Sequence, residues 1–189
     1  RKSKLYTDSL NFDRLYNIGY FFEGGKLIDN GSVLTSDWGE YDTKTRIAVF
    51  NYDVRLRNKK FYLTSDTLYY NTGNSLAHVV GPSNITSGNS HIYTEDAFYN
   101  TNKEYSELFG RSVMNDKGKS VVGDSVYYDS KNGTSEAFGN VIFTDSVNKT
   151  MLTGDYCWYD ENTGYAMATK RAVAIDFSQK DSLFMHADT

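Results

Sequence analysis

Seven aspartates recur along this chain, at intervals of 28 to 33 residues by subtraction of successive positions: Asp8, Asp37, Asp66, Asp96, Asp124, Asp155 and Asp188. A column of carboxylates could bind metal ions or supply paired acid and base groups for hydrolysis. Each aspartate lies in a phrase such as LTSDTLYYN (63–71), with an apolar residue three positions before it and mostly aromatic or apolar residues after it. A period near 30 indicates a stacked repeat architecture.

The position of the aspartates within the phrase favours a structural role over chemistry. The apolar positions three before and two after the Asp differ in parity, so a straight strand would place them on opposite faces. If both face one core, the strand must bend or bulge at the Ser-Asp or Gly-Asp pair. We therefore expect corner residues that accept a backbone N–H in an Asx-type turn, namely Asp37, Asp66, Asp96, Asp124 and Asp155.

Other chemistries find little support in the sequence. His78, His91 and His186 occupy unrelated offsets, and no metal-binding spacing such as His-x-x-x-His is present. Cys157 stands in an apolar column, where a small buried side chain is expected. Neither a Gly-x-Ser-x-Gly motif nor a phosphate-binding loop occurs. A net charge of −4 argues against nucleic acid as a partner, and no apolar run is long enough to span a membrane.

Each repeat predicts a long β-hairpin whose two arms are both bent. Turn residues follow the aromatics, as in Asn71 to Asn74, and a second apolar run leads to a second corner at Gly81, Gly110 and Gly139. The 16 Tyr and 11 Phe also favour strands over helices. The predicted fold is all-β, with stacked bent hairpins that form an open, V-shaped β-jellyroll or solenoid-like domain.

The domain prediction is a single domain over residues 1–189. Residues 1–31 are an irregular capping repeat, 32–181 are five repeats of about 30 residues, and 182–189 begin a further repeat. The abrupt start and the unfinished last repeat predict a fragment of a longer protein.

The apolar columns could form either a closed core or an apolar trough between the two arms of each hairpin. They mix large aromatics such as Tyr70, Tyr128 and Tyr159 with small residues such as Gly39 and Cys157. Tyrosine suits a groove with an apolar wall and a wet rim. An acyl chain of about a dozen methylenes would gain on the order of 10 kcal/mol on transfer into such a trough, before association costs.

The phrases LTSDTLYYN, VVGDSVYYD and LTGDYCWYD, with segments like SEAFGNVIF (135–143), resemble the OstA-like repeats of lipopolysaccharide-transport proteins. The resemblance is to the LptA-type periplasmic bridge domain, also found at the N-terminus of the LptD-type translocon. It implies an open β-jellyroll, in the periplasm or associated with the outer membrane, that shields the acyl chains of lipopolysaccharide (its lipid A part) or of a similar amphiphile. The family has no cofactor and no catalytic residues, so the resemblance also implies no cofactor and no enzymatic activity. Its end strands would add to neighbouring domains of the same type. By column match, the lipid-facing candidates are Leu63, Leu68, Tyr70, Phe98, Val126, Tyr128, Val141, Phe143, Leu152 and Tyr159.

Two other functions stay open on the sequence. A structural β-solenoid spacer or adhesion module would have a closed core and no ligand. A carbohydrate-active repeat enzyme would need paired carboxylates that face one cleft, whereas the aspartates in register look like corner residues.

Overall fold

Seventeen β-strands and no helix make up the described part of the chain, residues 4–29, 31–100 and 102–188 of a computed structural model. The all-β prediction is therefore confirmed; the outermost bounds of the repeat prediction, residues 1–3 and 189, lie outside the described residues. The strands are β1 Lys4–Thr7, β2 Leu10–Asp13, β3 Ile18–Phe21, β4 Gly25–Asp29, β5 Ser32–Ser36, β6 Trp38–Asp42, β7 Ile47–Arg57, β8 Tyr62–Asn71, β9 Leu76–Ser87, β10 Ser90–Asn100, β11 Tyr105–Asp116, β12 Lys119–Asp129, β13 Thr134–Asp145, β14 Thr150–Asp160, β15 Tyr165–Thr169, β16 Ala172–Asp176 and β17 Leu183–Ala187.

The chain divides into two compact units. Unit 1 comprises Arg1–Gly88 with Glu95–Asn102, and unit 2 comprises Asn89–Thr94 with Lys103–Thr189. Strand β10 therefore contributes its first half to unit 2 and its second half to unit 1. The assignment of residues 1–189 to one domain stays a prediction.

Within each unit the strands pair antiparallel, mostly with their neighbours in sequence. Unit 1 contains a series from β2 through β3, β6, β7 and β8 to β9, and a second series from β1 through β4 and β5 to β7. In unit 2 the series runs from β11 to β14, which pairs with both β15 and β16, and β16 pairs with β17. Stacked hairpins are thus confirmed.

Strands β7 to β9 and β11 to β14 each bend at mid-length, where their pairing register is interrupted. On β12 the register shifts between Val122 and Ser125, around Asp124. On the strand before it, the shift falls at Gly110 and Arg111, which both have left-handed backbone (φ 73° and 54°). Left-handed φ and a register shift also occur at Gly81 and Gly139, so the predicted second corner is confirmed at all three glycines.

Each bend divides its unit into two arms. In unit 2 the first arm comprises residues 105–109, 125–129, 134–138, 156–160 and 165–169, and the second arm comprises 112–116, 119–122, 141–145, 150–154, 172–176 and 183–187. In unit 1 the first arm comprises 10–13, 18–21, 38–42, 47–51, 67–71 and 76–80, and the second arm comprises 4–7, 25–29, 32–36, 54–57, 62–65 and 84–86.

The bend brings apolar residues of opposite parity onto one face, which we call the inner face of each unit. On β12 the buried residues are Val121 and Gly123 before the bend and Val126 after it. Buried hydroxyls satisfy backbone groups at the bends of unit 1: the Ser65 hydroxyl donates to Thr67 O at 3.0 Å, and that of Ser83 donates to Gly81 O at 2.8 Å. Ser65, before its bend, and Ser83, after the bend at Gly81, thus each compensate a backbone carbonyl at the point where the strand pairing is interrupted.

The irregular start has its own packing solution. The ring of Phe21 is only 4% exposed and packs against two glycines. A Cβ added to Gly25 would lie 2.4 Å from this ring, and a Cβ added to Gly39 would lie 2.5 Å from it. Gly39 stands in the column that holds Leu68 and Val126 in later repeats. Phe21 therefore fills from a neighbouring strand the volume that Gly39 leaves empty.

Candidate functional site: the inner faces of the two units

Rows of side chains cross the inner face of unit 2 from strand to strand. On the first arm one row is Leu108, Val126, Ala137, Cys157 and Ala168, and the next is Ser106, Tyr128, Ser135, Tyr159 and Ala166. On the second arm a row runs Met114, Val121, Phe143, Leu152, Ala174 and Met185. Their small members leave room between larger ones, as the mixed columns in the sequence indicated.

Six of the predicted lipid-facing residues lie on this inner face. Val126, Val141 and Phe143 are buried, whereas Tyr128, Leu152 and Tyr159 are half-buried. Burial is deepest next to the bend and decreases toward the far ends of the arms. The inner face is therefore a packed core at the bend and a partly accessible apolar surface toward the turns; a role in lipid binding stays a prediction.

Side chains from both arms of unit 2 meet in a group that we call the cross-arm cluster: Lys119, Phe143 and Tyr159. The rings of Phe143 and Tyr159 lie 5.0 Å apart between centroids. Lys119 Nζ donates a 2.7 Å hydrogen bond to Tyr159 Oη and lies 5.0 Å from the centre of the same ring. That hydrogen bond raises the pKa of Lys119. Tyr159 thus closes the space between the arms at this level.

Tyr128 is the second aromatic residue in the inner-face row that contains Tyr159. Its hydroxyl lies 3.5 Å from a carboxylate oxygen of Glu161. Burial, followed by the proximity of Glu161, raises the pKa of Tyr128 to about 12. Its phenol stays neutral, so this position presents an aromatic surface with a polar tip.

Unit 1 has an inner face of the same kind. Leu63 and Leu68 are buried and Tyr70 is half-buried, and the register places Tyr70 between Ala48 and Ala77. Phe61 and Tyr99 form an edge-to-face pair with centroids 6.4 Å apart. Aromatic side chains thus pack against each other in this unit as well.

Phe98 is the exception, and its predicted inward position is wrong. Its ring stacks on His78 with centroids 3.9 Å apart and planes within 8°, and His78 pairs across the strands with the exposed Tyr69. The neighbour Ala97 is buried instead. Periodicity predicts Asp96 in the aspartate column, but Thr94 and Ala97 are the buried residues of this strand, as Gly123 and Val126 are on β12, so Glu95 holds that position. In the sequence, the apolar Ala97 two positions after Glu95 is the signal that indicates this shift.

The corner aspartates bind side chains of neighbouring bends. Arg111 Nη1 donates to Asp124 Oδ1 at 3.2 Å and Asn140 Nδ2 donates to Asp124 Oδ2 at 2.9 Å. Arg171 pairs with Asp155 and lowers the pKa of that carboxyl. The expectation of Asx-type turns at these aspartates is not met, because those turns lie five residues later.

The residues that do form the Asx turns are the last residues of the strands. Asp129 Oδ1 accepts the backbone N–H groups of Lys131 and Asn132, both at 3.0 Å. Equivalent hydrogen bonds are made by Asp42, Asn71, Asp145 and Asp160. The backbone donors stabilise the carboxylate form and lower the pKa of Asp129. The aspartates at the strand ends therefore stabilise the hairpin turns, a role that the sequence predicted for the corner aspartates.

Asp37 and Asp66 are the remaining corner aspartates, whereas Asp96 lies one residue after the corner position, which Glu95 holds. Asp66 lies against Gly81, where an added Cβ would come within 2.7 Å of its carboxylate. Asp96 Oδ1 is 2.7 Å from His78 Nε2, and the Asp37 backbone N–H donates to Tyr52 O at 3.0 Å. Tyr52 and Asp53 form a left-handed bend that lacks the glycine on which the sequence prediction relied.

The groups that could have indicated catalysis are inert or dispersed. Cys157 is buried, and burial raises the pKa of its thiol to about 11, so almost none of it is the reactive thiolate. Within residues 4–29, 31–100 and 102–188, no cluster of three His, Cys, Asp or Glu side chains could hold a metal ion. Over the same residues, no helix is long and apolar enough to cross a membrane.

Comparison with known proteins identifies the family. The chain belongs to the OstA-like protein family, whose sequence profile matches residues 1–66 and 88–187. No curated protein sequence matches significantly. Among solved structures, the chain is similar to LptH from Pseudomonas aeruginosa, described as the LptA-homologous periplasmic component of a conserved lipopolysaccharide transport device. That match has 15% identity and a TM-score of 0.33, and covers 82% of this chain and 93% of LptH.

Proposed function

We propose that this protein is a non-enzymatic periplasmic component of lipopolysaccharide transport that holds acyl chains against the inner faces of its units. Membership of the OstA-like family supports the transport role. The single observation that carries the site is the pair of facing arms in unit 2, with half-buried apolar residues toward the turns and one cross-arm cluster between them. A bridge to the outer membrane is the context that the family resemblance implies.

An acyl chain can enter only if the cross-arm cluster opens. Opening costs the Phe143–Tyr159 ring contact, about 1 kcal/mol, and the Lys119–Tyr159 hydrogen bond, about 2 kcal/mol. A chain of a dozen methylenes gains on the order of 10 kcal/mol before association and ordering costs. The balance favours a reversible site in which Tyr159 and the lipid compete for the same apolar surface.

Photo-crosslinking from adjacent positions tests the site in unit 2. A photoreactive phenylalanine analogue replaces Tyr128, whose side chain faces inward, or Tyr127, whose side chain faces outward. We expect lipopolysaccharide to be labelled several-fold more from position 128, because only that position faces the space between the arms. Tyr159→Ala should increase the yield further, since it removes the contact that closes the arms.

Two controls separate lipid binding from surface adhesion. Lipopolysaccharide stripped of its acyl chains should be labelled equally from positions 127 and 128. In unit 1, position 70 faces inward and position 69 faces outward, so the same preference is expected there for position 70. Equal labelling from positions 127 and 128 would refute the groove and favour a closed structural spacer.

The inner rows of both units end in exposed apolar residues, which supports association with neighbouring domains. Leu10 lies in the row of Phe21 and is 66% exposed, and Met185 ends the row of Leu152 and is 51% exposed. All five residues of β17 are exposed. A strand from another OstA-like domain would cover these residues and extend the rows.

Substitution at Leu10 tests this association. Leu10→Lys places a charge in the row that a neighbouring strand would bury, so end-to-end association should weaken by about tenfold or more. Sedimentation velocity over a range of concentrations measures the effect. Leu15→Lys, at an exposed turn position, is the matched control and should change little. A wild-type protein that stays monomeric at millimolar concentration would contradict the proposal.

A further inference from the structure

The outward surface of the first arm in unit 2 carries a different chemistry from the inner face. Its fifteen outward residues, which we call the acidic-aromatic face, are Tyr105, Glu107, Phe109, Ser125, Tyr127, Asp129, Thr134, Glu136, Phe138, Tyr156, Trp158, Asp160, Tyr165, Met167 and Thr169. One row across five strands alternates acidic and aromatic side chains before it ends in methionine: Glu107, Tyr127, Glu136, Trp158 and Met167. Neither the transport role nor the hairpin packing requires this alternation.

Ring contacts connect Phe109, Tyr127, Phe138 and Tyr156 into a cluster at the surface, and Trp158 and Tyr165 form a second pair. The ring of Tyr127 lies 6.1 Å from that of Phe109 and 5.6 Å from that of Phe138, perpendicular to both. Phe138 is 5.0 Å from Tyr156 and is 39% exposed. The face therefore presents ring faces and ring edges in alternation rather than a run of coplanar rings.

The charge on this face is uniformly negative. Four of its fifteen residues are carboxylates and none is Lys or Arg, so its formal charge is −4, from four acids and no bases. Two of them, Glu107 and Glu136, lie directly opposite Tyr127 on the neighbouring strands. The pKa of Tyr105 is raised by burial and by the proximity of Glu107, in agreement with a negative potential at the rings.

Cationic side chains fit this combination best. A guanidinium or ammonium group is attracted to the face of a Tyr or Trp ring and can at the same time pair with a carboxylate. The perpendicular rings suit separate cations better than stacked sugars, and the charge repels phosphorylated lipids. We propose that the acidic-aromatic face binds an extended segment of a partner protein that bears Lys or Arg at alternate positions.

Titration with a synthetic peptide tests the proposal in the full chain. The probe is a decapeptide of alternating Arg and Ser, and Trp158 emission in a Trp38→Phe background reports on the face. We expect saturable binding that weakens as salt is added. Glu107→Gln with Glu136→Gln should weaken it by about tenfold, because two carboxylate–guanidinium pairs are lost.

Matched variants separate this face from general charge attraction. Asp8→Asn with Asp181→Asn changes the net charge equally at exposed positions elsewhere and should leave the affinity unchanged. Tyr127→Leu keeps all four carboxylates but removes the central ring, and should weaken binding several-fold. Circular dichroism of each variant verifies that its β structure is intact.

Three results would overturn the proposal. One is wild-type protein that does not bind the peptide, and another is equal loss of affinity in the two charge-matched double variants. The third is self-association that Lys59→Gln with Lys60→Gln abolishes, which would assign the face to a second copy of this chain. Each result is independent of lipid crosslinking, so failure here leaves the transport proposal untouched.

Discussion

Phe21→Ala is expected to destabilise unit 1 by about 3 kcal/mol. The ring is 4% exposed and fills the space above Gly25 and Gly39, so its removal leaves a cavity bordered by backbone that cannot collapse. Urea unfolding followed by Trp38 emission, in a Trp158→Phe background, measures the free energy of unfolding for this unit.

Refilling the cavity from the opposite strand is the sharper test. Gly39→Leu alone should destabilise, because the new side chain collides with the Phe21 ring. In the Phe21→Ala background it should instead recover part of the lost stability, since Leu is the residue that the same column holds at position 68. Phe22→Ala, at the exposed neighbouring position, should cost less than about 1 kcal/mol. If the changes in unfolding free energy from Phe21→Ala and Gly39→Leu simply add in the double variant, Phe21 does not fill the space that Gly39 leaves without a side chain.

Gly139→Ala is expected to destabilise unit 2 by about 2–3 kcal/mol. The backbone at this bend is left-handed (φ 74°), which costs an alanine roughly 1 kcal/mol. The added Cβ would also lie 2.4 Å from Asp124 Oδ2, so the carboxylate that Arg111 and Asn140 bind must move. Chemical denaturation followed by Trp158 emission in a Trp38→Phe background gives the change.

Gly164→Ala separates the two contributions. Gly164 has nearly the same backbone angle (φ 73°) but nothing within 4 Å of an added Cβ, so only the cost of the left-handed conformation applies. Asp124→Ala in the Gly139→Ala background removes the carboxylate and should recover about 1 kcal/mol relative to additivity. If Gly139→Ala and Gly164→Ala cost the same, the corner aspartate is not held against the glycine of the next bend.

Local spacing was enough to predict much of this protein. The all-β class, the bent hairpins and the glycine corners at positions 81, 110 and 139 follow from the 30-residue period and from parity, because alternation along a strand is encoded within a few residues. Parity also placed Leu68, Val126 and Tyr128 on the inner face. These predictions concern neighbours along the chain, where sequence distance and spatial distance are nearly the same.

Contacts between residues far apart in sequence were not predictable in this way. The period predicts that Phe98 faces inward because Asp96 matches it, but the burial pattern of β10 is shifted by one residue and Phe98 lies outward against His78. A one-residue change in register reverses every side chain of a strand, and periodicity alone cannot detect it.

The repeat, the strands and the positions of most bends follow from the sequence, because they depend on residue types a few positions apart. The tertiary structure decided which side chains meet across a bend, such as Lys119, Phe143 and Tyr159, and which aspartates hold turns rather than corners. It also showed that outward residues of five strands form one acidic-aromatic face. Strand pairing brings these groups together over long sequence separations, and the register that fixes their neighbours is set by packing.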